Sequence, residues 1–235
     1  MSLRTRVFCI LALLATVVFV RLGFWQLSRR HERLARNAIV GAQLRSAPVP
    51  FSALPHDTAE AHYRPVHVEG RFDYEHELVL ANRSRHGSPG AELITPVRIA
   101  GRDTAVLVNR GWVYSPDGGT VDRARWREGD SAIVTGYAEL VPSIDTTAAG
   151  TSRDRQLVRR ITSGELLRHI PYPVAPRYVV SIGDTASLTH PVRRALPELD
   201  DGPHARYAVQ WFAFAAIAIV GAGMIVVRER RDEAE

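Results

Sequence analysis

The sequence predicts a membrane protein in which two terminal transmembrane helices flank an antiparallel β-rich (α+β) domain. Three observations carry this. An apolar run lies near each end of the 235 residues. Seven short segments of alternating apolar and polar residues fill the middle. Helix-breaking proline and glycine separate those segments from the ends. A chain of this length has room for one core, since a single domain takes roughly 100 to 200 residues.

The first run, Val7 to Val20, reads "VFCILALLATVVFV". Alone it would rise only about 21 Å, short of the roughly 30 Å hydrocarbon core. Continued through Arg21 and "LGFWQL" it makes a span over 7–27, with the Arg21 guanidinium free to snorkel and Trp25 at interface depth. A cleaved signal peptide is the competing reading, because Arg4 and Arg6 precede a short apolar stretch. No small-residue cleavage site follows it, so a retained helix is expected. Residues 28–62 form an arginine-rich amphipathic segment and a linker, broken by the three prolines of "APVPFSALP".

A β-rich domain is expected over 63–185. Its strands are "YRPVHVEGRF", "HELVLANR", "ELITPVRI", "TAVLVNRGWV", "AIVTGYAEL", "RQLVRRI" and "RYVVSI", each short and bounded by turn residues. The alternation predicts an antiparallel sheet, closing toward a barrel. "VDRARW" and "SGELLRHI" predict short helices, the second capped by Ser163. Thr146 to Thr151 reads as loop, and 186–206 as linker. The second span, 207–227, is "YAVQWFAFAAIAIVGAGMIVV", running into "RERR". Its alanines and glycines would let another helix pack close.

Two spans put both termini on one side of the membrane. Charge does not say which side: Arg228, Arg230 and Arg231 favour a cytoplasmic tail, whereas Arg29, Arg30, Arg33 and Arg36 pull the other way.

Composition narrows the function. All 30 basic residues are arginine, and they are spread along the chain, so the net charge of +5 indicates a solvated surface and no nucleic acid is expected. Cys9 is the only cysteine, which excludes an internal disulfide, a Cys-x-x-Cys pair, c-type haem attachment and paired thiolates for cuprous ion. The sequence has no Gly-x-Ser-x-Gly elbow, no phosphate-binding glycine loop and no His-Glu-x-x-His. No enzyme activity is expected. Asp73, Glu75 and Glu77 alternate along one segment and read as a solvated strand face. His67 and Glu69 could hold a metal only if another strand supplied partners. His31, His56, His76, His86, His169 and His190 read as exposed.

His204 differs. Tyr207 and Trp211 follow it at steps of three and four, so the three side chains share a face of a helix entering the membrane. An imidazole there could offer a nitrogen to iron while the aromatic rings flank a porphyrin. An aromatic belt with an interfacial histidine has the same spacing.

The blocks "LGFWQLSRR", "YRPVHVEGRFD", "LVLANRSRHGSPGAELITPVRI", "VLVNRGWV" and "HARYAVQWFAFA", in that order between two spans, resemble the surfeit locus (Surf-one) family of cytochrome c oxidase assembly factors. The resemblance implies cytoplasmic termini, an extracytoplasmic domain and residence in the cell (inner or plasma) membrane. It implies an assembly factor that aids delivery or insertion of haem a into subunit I of a haem–copper oxidase, with haem a synthase as a further partner. In bacterial members a histidine before the Tyr-Ala of the second helix is associated with haem. His204 is the matching position and thus the implied metal ligand, with Tyr207 and Trp211 as cofactor-binding neighbours. The residues around it depart from the family's usual asparagines and leucine: Asp200, Asp201, Gly202 and Pro203 precede it and Ala205 follows. Gly23, Trp25, Gln26, Arg110, Gly111 and Trp112 also match the pattern. The alternative is a membrane-tethered scaffold that binds only protein.

Overall fold

A computed structural model describes residues 1–143, 156–186 and 189–233. The chain divides into two compact units, one made of Met1–Gly41 with Glu198–Glu235 and the other of Ala42–Pro197.

The first unit holds the two long helices, α1 (Leu3–Leu44) and the last helix, α4 (His204–Asp232). α1 is one helix through both the predicted span and much of the arginine-rich segment that follows. It ends where Ser46 donates its hydroxyl and its N–H to the Gln43 carbonyl, just ahead of Pro48. Both helices are long and apolar enough to cross a membrane, with mean hydropathies of 2.5 and 2.1 over their most apolar windows. Much of their apolar surface is uncovered, as at Leu11, Leu14, Ile217 and Val220. This is consistent with a membrane protein, because water would not tolerate so large an apolar exposure.

The second unit is the β-rich domain, with two short α-helices, α2 (Thr58–Ala61) and α3 (Ser163–His169). Its eight strands are β1 (Val49–Pro50), β2 (Pro65–Phe72), β3 (Leu78–Arg85), β4 (Ser88–Arg98), β5 (Ala105–Tyr114), β6 (Ser131–Leu140), β7 (Leu157–Val158) and β8 (Val174–Ser181). They lie in the order β1-β2-β6-β8-β5-β4-β3-β7, and a further β2–β4 pairing closes β2, β6, β8, β5 and β4 into a barrel. Closure depends on the length of β4. One edge of it runs along β5, while the other is shared between β3, along Ser88–Ile94, and β2, at Val97 and Arg98.

Seven of the strands fall where the alternation placed them. β1 falls in the stretch read as a helix break, because two residues carry no periodicity. The sheet is mixed and not wholly antiparallel: β1–β2, β3–β7 and β5–β8 run parallel. Periodicity identifies strands but not partners, and β8 returns between β5 and β6 after α3. α3 forms as expected, but Thr162 caps it, its hydroxyl accepting from the Glu165 N–H, and Ser163 is its first residue. "VDRARW" yields only a single 3-10 turn, Ala124–Trp126. The predicted loop Thr146 to Thr151 lies outside the described residues.

The core follows the alternation. Val66, Val68, Val97, Val106, Val108 and Val179 form one buried cluster, and the bulkier Leu78, Ile94, Leu107, Leu166 and Ile170 form another that seats α3. Valine dominates the first because a small barrel admits only compact side chains. Ile94 is fully buried, whereas Ile133 on β6 is 78% exposed. Chemically identical truncations at the two positions should therefore differ. Denaturant unfolding of Ile94→Ala should show a loss of about 2 to 5 kcal/mol, and Ile133→Ala a change within about 0.5 kcal/mol.

Candidate functional site

α1 contacts the start of α4 through residues spaced alternately by four and three: Phe19, Gly23, Gln26, Arg30, Arg33 and Asn37. That spacing keeps one face of a helix toward one partner over several turns. The face changes character along its length. Phe19 stacks on Trp211 with ring centroids 5.8 Å apart and also meets Phe214. At Gly23 the backbones come close, and a Cβ there would lie 2.5 Å from the Phe212 ring. One turn on, Gln26 Oε1 lies 2.8 Å from His204 Nδ1. Beyond it Arg30 pairs with Asp201 at 2.9 Å. Arg33 pairs with Asp200 and donates to its carbonyl, which also accepts from Asn37 Nδ2 at 2.7 Å.

The arginines that confused the charge count thus have a structural task. They hold the turn that leads into α4. Gly202 in that turn has φ +69°, a left-handed conformation that glycine adopts readily. A Cβ at Gly202 would lie 3.3 Å from His204 Cδ2 and 3.4 Å from the Arg33 side chain. The edge of the imidazole that carries Cδ2 and Nε2 is kept clear by the missing side chain.

Of the three residues singled out from spacing, His204 and Trp211 lie on the α1-facing stripe, together with Ala208 and Ala215, the buried residues of α4. Tyr207 stands beside that stripe, 43% exposed. His204 is half-buried. Its Nδ1 is engaged by Gln26, and among the described residues no hydrogen bond is made to Nε2. A half-buried imidazole with one nitrogen anchored and the other without a protein partner fits an axial haem ligand. Trp25 is 54% exposed.

The β-domain's family-like blocks have a different role. Arg110 is fully buried, and its guanidinium is bound on every side: Nε donates to Thr95 Oγ1 at 2.8 Å, one terminal nitrogen to the Trp126 carbonyl at 2.6 Å and Glu128 at 2.7 Å, and the other to Glu77. Its flat face lies 5.0 Å from the Tyr74 ring. Arg193 donates to the Arg110 carbonyl and to Glu128. A second buried carboxylate, Glu92, accepts from Asn109 at 2.9 Å and from Arg194. Trp112 donates its indole N–H to the Arg83 carbonyl at 3.0 Å. Burial depresses, but the pairing with Glu92 more than restores, the proton affinity of Arg194, while burial and then Glu139 push Tyr178 well up.

Glu77 corrects the reading of a solvated acidic face: it is 1% exposed and paired with Arg110. Its neighbours Tyr74–His76 form a 3-10 turn capped by Asp73. The pattern failed because Glu77 follows that turn and not a strand, so period two does not apply. His76 is not free in solvent either: it bonds Asp73 at 2.9 Å, and His169 and His190 are half-buried. Asp73, Glu75 and His76 have the spacing of a metal group. Asp73 is nonetheless occupied by Tyr172 O–H at 2.6 Å and by His76. Partial burial raises its pKa, but those hydrogen bonds outweigh it and hold the carboxyl below its ordinary value. Burial, and then Asp73, push Tyr172 up. His67 and Glu69 lie outside this cluster, His67 being paired with Thr135 across β6.

The SURF1 family model matches residues 13–216. The chain belongs to the SURF1 family. Surfeit locus protein 1 of Gallus gallus is 36% identical over 107 residues, which cover 39% of this chain and 35% of that protein. Its counterpart in Homo sapiens is 34% identical over 116 residues, 43% of this chain and 39% of the relative. A SURF1-like protein of Mycobacterium bovis is 26% identical over 223 residues, covering 92% of this chain and 81% of the relative. The chain therefore spans little more than a third of the animal proteins it matches, and most of the mycobacterial one.

The buried arginine gives a direct test of what the shared blocks do. Replacing Arg110 by methionine leaves Glu77 buried without its cation, a change that costs about 3 to 5 kcal/mol. Adding Glu77→Gln removes the stranded charge and should recover most of that loss, read by denaturant unfolding of the full chain. Equal destabilisation in the single and double variants would show that packing, not charge pairing, sets the cost.

Proposed function

We propose that this SURF1-family chain is an assembly factor for a haem–copper (cytochrome c) oxidase, holding haem a and aiding its insertion into subunit I. The observation that carries the reading is His204, held at the start of α4 by Gln26 with its second ring nitrogen unengaged. Family membership supports the oxidase role through the resemblance set out above, and the two apolar helices support a place in the cell membrane. In this reading both termini are cytoplasmic and the β-domain is extracytoplasmic, with haem a synthase and subunit I as partners. The chain performs no covalent chemistry.

A haem a group would supply a flat apolar ring and an iron needing a nitrogen ligand. His204 would hold it through Nε2, and Tyr207 and Trp211 would flank it. Gln26 and the Asp200–Gly202 turn keep the imidazole in place. The buried arginines of the β-domain are engaged by Glu77, Glu92 and Glu128, so they give rigidity and leave transfer to the helices.

The test is haem a content after purification from cells that make haem a, with oxidase activity measured in a deletion strain carrying each variant. The expected result is a haem spectrum in the native chain. In His204→Ala the affinity should fall by more than the about 10- to 100-fold typical of losing a ligand's outer partner. Equal haem in both chains would remove His204 from the ligand role. Absence of haem from both, with oxidase lost in the deletion strain, would favour the protein-binding scaffold.

A further inference from the structure

Gln26 sits one turn from the close contact of Gly23 with Phe212, on the same face of α1, and its Oε1 is 2.8 Å from His204 Nδ1. Oε1 of an amide can only accept, so the shared hydrogen belongs to the imidazole. A neutral imidazole carries one N–H, and if it is on Nδ1 the lone pair is on Nε2. A free histidine side chain in water favours the opposite tautomer, with its hydrogen on Nε2, which cannot ligate a metal without first losing it.

We propose that Gln26 is a positioning residue that locks His204 in the Nδ1–H tautomer and so presents the Nε2 lone pair for axial ligation. The proposal rests on the haem reading for its purpose but not for its chemistry, because the tautomer is set in the chain itself. Three features converge on it. Gly23 brings the α1 backbone close enough for a glutamine to reach the ring. The bonds of Arg30, Arg33 and Asn37 to Asp200 and Asp201 fix the turn from which α4 begins. Gly202 leaves the Cδ2 edge of the ring, next to Nε2, uncrowded. A neutral amide as partner is also informative. It orients the ring without the strong charge donation of a carboxylate, so the nitrogen is a ligand of moderate basicity, suited to a group that must be released.

The experiment uses the full chain in lipid nanodiscs with 15N-labelled histidine, free of haem, and assigns the His204 ring signals by their loss in His204→Ala. The native chain should show Nδ1–H. Gln26→Leu, which keeps the bulk but not the acceptor, should shift the ring toward Nε2–H. Gln26→Glu, which keeps an acceptor, should retain Nδ1–H. Nε2–H in the native chain, or an unchanged tautomer in Gln26→Leu, would overturn the proposal.

Haem a titration of the same samples forms the second arm. Affinity should fall about 10- to 100-fold in Gln26→Leu. In Gln26→Glu it should be kept, with a lower reduction potential from the more basic ring. Undiminished affinity in Gln26→Leu despite a shifted tautomer would overturn the positioning role. If the tautomers behave as stated and the native chain binds no haem a, the haem reading fails while the lock stands.

Discussion

Phe212 occupies the space in which any side chain on residue 23 would have to stand, and the organisation of the helical unit follows from that contact. Helices approach this closely only where one of them lacks a Cβ. Once the backbones are near, the seven-residue rhythm of α1 decides what comes next. Aromatic rings stack on one side of the glycine, at Phe19 and Trp211. On the other side the amide of Gln26 meets an imidazole, and then guanidinium groups meet carboxylates. The order is the one a bilayer requires, with apolar contacts where lipid lies and ion pairs where water begins. His204 stands at the change from one regime to the other. There an imidazole can be partly dry and still reached from outside.

The β-domain is built on another principle. A small barrel offers little apolar volume, and its Val-rich core is supplemented by two buried carboxylate clusters around Arg110 and Arg194. Taking such charges out of water is costly, and the geometry offsets it by giving the Arg110 guanidinium a partner at each nitrogen. The blocks that carry the family resemblance in this unit, around Asn82, Asn109 and Trp112, are thereby explained as architecture. Asn82 takes a positive φ of 58° at the irregular point of the β3–β4 pairing, and its N–H donates to the Gly118 carbonyl.

Much of this was legible in the sequence, for reasons that differ by element. Alternation marked seven strands because each has a face in the core, and it missed β1, where two residues hold no period. It could not show that β8 pairs in parallel with β5, since partners are chosen by the whole sheet. Glu77 was misread because period two was extended through a turn. The site was half legible: spacing picked out His204 and Trp211, and the family-like "LGFWQL" block contained Gly23 and Gln26. That Gln26 touches His204, 178 residues away, lay beyond any local pattern. A helical register running 19, 23, 26, 30, 33 and 37 would have shown those residues to share a face, but not that α4 covers it.

The account stands or falls on the helix contact at Gly23. Spin labels at the exposed positions Leu14 on α1 and Ile217 on α4, in a Cys9→Ser background in nanodiscs, report the distance between the helices by double electron–electron resonance. A single narrow distribution is expected for the native contact, moved outward and broadened by Gly23→Leu. A broad distribution with glycine in place, or one that leucine leaves unchanged, would mean that α1 does not seat α4 and does not hold the imidazole.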